Sequence, residues 1–123
     1  MPEYTPTFAT GGAPITLQAS ATVTGGRLVE VTGNGTVGPA GAASTKAIGM
    51  AAYDAASGGK VGVWPLPGVV HECTAAGAIA AGDGVVAAAA GAVATVGAGT
   101  FQQLVGVALA AAADTATCRF IGR

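Results

Sequence analysis

Charge is what this chain has least of. Five basic and six acidic residues make up 9% of its 123 positions, against about 25% in an ordinary soluble domain. So few and so scattered cations leave no basic patch, which excludes a nucleic-acid footprint. One histidine, His71, and two cysteines, Cys73 and Cys118, are too few ligands for a zinc site, and no Cys-x-x-Cys pair occurs. Only six residues are aromatic, and Ile, Leu, Val and Phe together number 26. That fraction lies near the composition of disordered chains, but disorder also requires high net charge, and here it is −1. The opening MPEYTPTFAT lacks the basic-then-apolar pattern of a secretion signal, so export is not expected.

Long hydrocarbon-rich runs are missing too. The longest apolar stretch, AAGDGVVAAAAGAVATVGAGT at 80–100, is broken by Gly82-Asp83-Gly84, Gly91, Gly97 and Gly99. A membrane span needs about 20 unbroken apolar residues. A helix needs a stripe at 3.6-residue spacing, which Val85, Val86, Val93 and Val96 do not make, and each internal glycine costs about 1 kcal/mol. The stretch reads as two strands, 85–88 and 92–96, in a tight hairpin entered through a Gly-Asp-Gly turn.

What the chain has in abundance is small residues. Thirty alanines and 21 glycines fill 51 positions, which suits closely approaching sheets. Alternation is clearest in ITLQASATV at 15–23, with Ile15, Leu17, Ala19, Ala21 and Val23 on one face. RLVEVT places Val29 and Val31 together, and GNGTVGPAGAAS reads as loop. TKAIGMA, KVGVW and VVHECT read as strands. LVGVALA sets Val105, Val107 and Leu109 against Gly106 and Ala108, and ATCRFI sets Cys118 and Phe120 against Arg119 and Ile121. Residues 24–31, 47–56 and 60–64 match 81–88, 104–113 and 117–121 at one offset of 57, the mark of a duplicated β unit. The expected architecture is all-β: a compact small barrel or sandwich of short strands over 15–123, preceded by an extended arm at 1–14. Pro2, Pro6 and Pro14 bar a helix in the arm, and Tyr4 and Phe8 give it groups to dock with.

Catalytic groups are thin. The acids are Glu3, Glu30, Asp54, Glu72, Asp83 and Asp114, of which the three aspartates sit in Gly- or Ala-rich turns and read as turn residues. His71 and Cys73 would share a strand face, with Glu72 on the other, and nothing supplies an orienting group or an oxyanion site. No phosphate-binding glycine motif is present. The two cysteines read as buried free thiols, with one disulfide open if the fold brings them together. Trp64, at a strand end beside PLPG, reads as a core anchor or as an interface anchor. The low charge predicts faces covered in an assembly. The sequence calls for no cofactor and no enzymatic activity.

GGRLVEVTGNGTVGPAGAAS, KAIGMAAYDAASGGKVGVW, AGDGVVAAAAGAV and LVGVALAAAADTATCRFI, in that order, resemble the small capsid decoration proteins of tailed bacteriophages. The matching positions are Gly49 to Ala51, Val61 to Val63, Ala81 to Val85 and Val105 to Leu109, over roughly 15–123. The resemblance implies a head-stabilising virion protein on the outer surface of the capsid, made in the host cytoplasm. Its implied partner is the major capsid protein, which it cements as a homotrimer at local three-fold positions. Tyr4, Thr5, Pro6 and Phe8 would then be capsid-binding arm residues that add a strand to a capsid sheet. Three other classes remain open. A biotinyl- or lipoyl-like carrier needs a lysine at a hairpin turn, and Lys46 and Lys60 lack that setting. An ice- or sugar-binding protein needs a regular threonine ladder, and the spacing is irregular beyond 16–24. A tail or fibre subunit stays within the structural class.

Overall fold

The computed structural model describes residues 13–123, and all of the regular structure is β apart from two short 3-10 turns, Ala89–Gly91 and Phe101–Gln103. The strands are β1 (Ile15–Ala19), β2 (Leu28–Gly33), β3 (Thr36–Pro39), β4 (Ala47–Ala51), β5 (Lys60–Pro65), β6 (Val70–Thr74), β7 (Gly84–Ala87), β8 (Val93–Thr95), β9 (Leu104–Ala108) and β10 (Thr117–Gly122). β1 to β5 close into a barrel in the order β1-β3-β2-β4-β5, and β6 to β10 form a sheet in the order β6-β10-β9-β7-β8.

These two orders are one pattern. β6 meets β10 as β1 meets β5, and the β10-β9, β9-β7 and β7-β8 contacts repeat β5-β4, β4-β2 and β2-β3. The registers repeat as well: Ala51↔Val63 becomes Ala108↔Phe120, and Val29↔Gly49 becomes Val85↔Gly106. Even the bulge after Val29 in the β2-β4 pair reappears after Val85. The duplication expected from sequence is therefore present, with one correction. β4 and β5 map onto β9 and β10 at 57 residues, but Val29 maps onto Val85 at 56. The extra residue enters between β8 and β9. Glycine- and alanine-rich segments align equally well one position apart, so sequence alone did not fix that register.

One contact differs between the halves. β1 and β3 close the first barrel through the parallel pairs Gln18↔Thr36 and Ala19↔Val37. In the second half a single bridge, Ala75↔Val93, stands in their place. The second core draws on the first half: Leu28, Ala40, Met50 and Leu66 join the cluster of Cys73, Val85, Val93, Val105, Cys118 and Phe120. A second cluster, with Ala19, Val23, Val29, Val37, Val61 and Val63, fills the closed barrel.

This arrangement explains two departures from simple alternation. Leu28 and Val29 are consecutive and both fully buried, because Val29 points into the barrel and Leu28 into the other cluster. Val31 keeps the side of Val29, since its partner on β3 is the core residue Val37, yet it is 40% exposed. On β9 the matching bulge leaves Val105 inside, Val107 half-buried and Leu109 exposed, where the sequence pattern placed all three together. The segment read as loop contains β3. Gly33, Asn34 and Gly35 turn the chain, Gly35 with φ of +69°, and Val37 enters the barrel core. Gly38 and Pro39 hid this strand, since both are strand breakers except at a strand end such as this.

Candidate partner-binding surface

The polar groups singled out in the sequence do not converge. On β6, His71 and Cys73 point inward and Glu72 outward, as the strand pattern requires. His71 Nε2 lies 3.1 Å from the Pro65 carbonyl oxygen, and the ring lies 5.5 Å from that of Phe120. Burial pushes the imidazole below its usual pKa, against the opposing pull of the Leu66 and Pro65 carbonyls. The Cys73 thiol donates to the Gly91 carbonyl at 3.3 Å, so His71 and Cys73 serve different partners. Burial pushes both thiols up, Cys73 and Cys118, and neither is in a disulfide. The three aspartates cap turns: Asp54 accepts from Gly25 N–H at 2.7 Å, Asp114 from Gly77 N–H at 2.8 Å, and Asp83 from Ala80 N–H at 3.0 Å. Among the described residues no cluster of His, Cys, Asp or Glu could hold a metal ion. No described helix is long and apolar enough to cross a membrane.

What the fold does build is an apolar outer face on the second sheet. Val70 on β6 stands opposite Ile121 on β10, which stands opposite Val107 on β9. Val70 is 52% exposed and Ile121 37%. The next row along the strands is Glu72, Arg119 and Leu109. Arg119 donates two bonds to Glu72 Oε1, at 3.1 and 2.7 Å, and Leu109 N–H bonds the Arg119 carbonyl. Trp64 extends this face. It is 39% exposed, and it lines a depression of about 300 Å³ with Met50, Val69 and Val70. Among the described residues, Trp64 therefore has an exposed apolar setting. Tyr4, Thr5, Pro6 and Phe8 lie outside the described residues.

Pseudo-symmetry sharpens the meaning of this face. Ile121 and Val107 occupy the positions of Trp64 and Met50 in the first unit, since Ile121↔Val107 repeats Trp64↔Met50. Met50 is buried to 4% in the cluster of the second unit, whereas Val107 is half-buried. Sequence reasoning missed Val70, Val107 and Leu109 as surface groups. The one legible signal was Ile121 on the Arg119 side of β10.

Residues 9–122 match the family described as phage cement protein. No curated protein matches the chain. Among solved structures, it resembles the head fiber gp8.5 N base of bacteriophage phi29, with a TM-score of 0.67 and 18% identity over 89% of this chain and 92% of that one. At that identity the likeness shows a shared fold.

Proposed function

The chain belongs to the phage cement protein family and so is a structural component of a phage capsid; on that premise we propose that it binds the outer surface of the shell and cements neighbouring major capsid subunits. The observation that carries this reading is the uncovered apolar face of Trp64, Val70, Ile121 and Leu109. Large exposed apolar groups clustered around a polar pair mark a protein-binding surface. In a chain with 9% charged residues, covering that face also relieves its tendency to self-associate.

The finer parts of the proposal are these. Residues 15–123 act as one β domain, and 1–14 act as an arm whose Tyr4, Thr5, Pro6 and Phe8 contact the shell by strand addition. Three copies meet at local three-fold positions on the virion exterior. The activity is mechanical, without catalysis. A fibre-base role is the second reading, favoured by the likeness to the phi29 head fiber base. The carrier reading gains no support, since Lys46 precedes β4 and Lys60 opens β5, and neither lies in the β7-β8 turn.

The test is cosedimentation of the purified protein with expanded, empty heads of its parent phage that lack it. Saturable binding at a fixed ratio to the major capsid protein is expected. Val70→Ser with Ile121→Ser should weaken binding at least tenfold while leaving the far-ultraviolet circular dichroism unchanged. Deletion of 2–12 should weaken binding without unfolding the domain. Folded protein that fails to bind heads overturns the cementing role, and full binding by the double variant removes this face from it.

A further inference from the structure

Cys73 and Cys118 are direct partners in the β6-β10 ladder. Two bonds fix the type of pair. Ala75 N–H donates to the Ala116 carbonyl on one side, and Gly122 N–H donates to the Val69 carbonyl on the other. Both lie an even number of residues from Cys73↔Cys118, so the cysteines occupy a hydrogen-bonded position. Such positions hold their Cα atoms about 5.5 Å apart, and disulfides most often span about 5.5–6 Å between Cα atoms. Both side chains point inward, at 3% and 0% exposure, into the same cluster. The fold thus supplies the Cα span and a common side for a bond it does not contain; the facing β-carbons, about 4.5–5.5 Å apart in such pairs, must close to about 3.8 Å as it forms.

We propose that Cys73 and Cys118 are a latent redox site, closing to an intramolecular disulfide that pins edge strand β6 to β10 when the protein meets a disulfide oxidant such as oxidised glutathione. β6 is the end strand of its sheet, and β10 is flanked on both sides. Edge strands open locally at lower free energy than flanked ones, so Cys73 is the thiol reached first. Its thiolate attacks one sulfur of oxidised glutathione, releases one glutathione thiolate and forms a mixed disulfide. The Cys118 thiolate then attacks the Cys73 sulfur and releases the second glutathione. One sulfur–sulfur bond breaks and one forms. The two protons lost from the protein end on the two glutathione thiols, and the electron pair passes to the oxidant. Burial keeps both thiols protonated at neutral pH, which makes the exchange slow and keeps the reduced form in a reducing cytoplasm.

The site is independent of the shell-binding reading, and its test needs only the purified full chain. Reduced protein is incubated with oxidised glutathione, then unfolded, alkylated with iodoacetamide and weighed intact. The expected result is a mass lower by two hydrogens, no alkylation, and one cross-linked peptide joining the β6 and β10 segments. The oxidised form should melt about 10 °C higher than the reduced one, as expected for a cross-link closing a loop of this length, and dithiothreitol should reverse the shift. Cys118→Ala should instead stop at a glutathione adduct on Cys73. Two alkylated cysteines after prolonged oxidation, or adducts on both without a cross-link, overturn the proposal. So does a cross-link found only between two chains.

Discussion

Adding one methyl group at Gly49 or at Gly106 tests the duplicated architecture most directly. A β-carbon at Gly49 would collide with the Trp64 carbonyl oxygen and sit 2.7 Å from Val63 Cγ1. At Gly106 it would collide with the Ile121 carbonyl oxygen and sit 2.7 Å from Phe120 Cδ2. Neither glycine has positive φ, so crowding sets the cost. The obstructing atoms belong to the paired strand's backbone and cannot rotate aside. Overpacking of this kind costs about 1–3 kcal/mol, and a disturbed ladder hydrogen bond adds about 1 kcal/mol. Gly49→Ala and Gly106→Ala should each lose about 2–4 kcal/mol, a large share of the roughly 5–15 kcal/mol that holds a domain folded. Gly41→Ala is the control, because its nearest contact would be Glu30 Oε1 at 3.8 Å. It should be neutral or gain up to about 1 kcal/mol through the unfolded chain. Urea unfolding at constant m-value measures all three. If Gly49→Ala and Gly41→Ala share a midpoint, the close approach of β4 to β5 is wrong, and with it the reason for a glycine at both repeated positions.

Acid should weaken the fold through His71. Burial lowers its folded pKa below 6.5, so above about pH 6.5 the ring is neutral in both states and contributes nothing. As pH falls below that value, the unfolded chain takes up a proton that the folded chain refuses. Stability therefore declines until the folded pKa is reached, then levels. Thermal melts from pH 7 to 5 should fall less for His71→Gln than for the natural protein, and parallel curves would refute the assignment. Phe120→Ala should cost about 3–5 kcal/mol, since the ring is fully buried. Arg119→Ala on the same strand should cost under about 1 kcal/mol, because its ion pair with Glu72 is 61% and 55% exposed. Equal losses in chemical denaturation would contradict the inward and outward placement along β10.

Much of this fold was legible because strand alternation survives in small side chains. β1, β6 and β10 follow it residue by residue, and the 85–88 with 92–96 hairpin appears as β7 and β8. The closed barrel within an all-β fold was also within reach. What escaped detection was what bulges and interlocking change. Val107 and Leu109 turn outward after a ladder irregularity that no periodic pattern carries. Leu28 serves a second core that exists only once the two units meet. β3 was hidden because Gly38 and Pro39 obey their neighbours' pairing here more than their own propensities. The candidate surface was harder still. Trp64 was named from its type and place, but the face around it combines residues from β5, β6, β9 and β10, and only the register of those strands brings them together.

The asymmetry between the halves ties the fold to its use. Where the first barrel carries Val63 and Val61, the second carries Phe120 and Cys118 at the equivalent places. Phenylalanine needs more room than valine, and the seam between β6 and β8 is the weakest place to find it, since parallel pairing there amounts to a single bridge. The seam stays open, and Leu28, Met50 and Leu66 join the second unit's cluster, which removes those large side chains from the surface of the first unit. A stack of repeated units ordinarily ends in a polar cap. Here the outer face of the second unit carries Val70, Ile121 and Val107, with one ion pair beside them. The covering that the second unit gives to the first has no counterpart among the described residues, and an apolar face of this kind is stable in water only at a cost that another protein surface would relieve. That is the physical content of the cementing proposal: the shell would cover the apolar face of the second unit as that unit covers Met50 of the first.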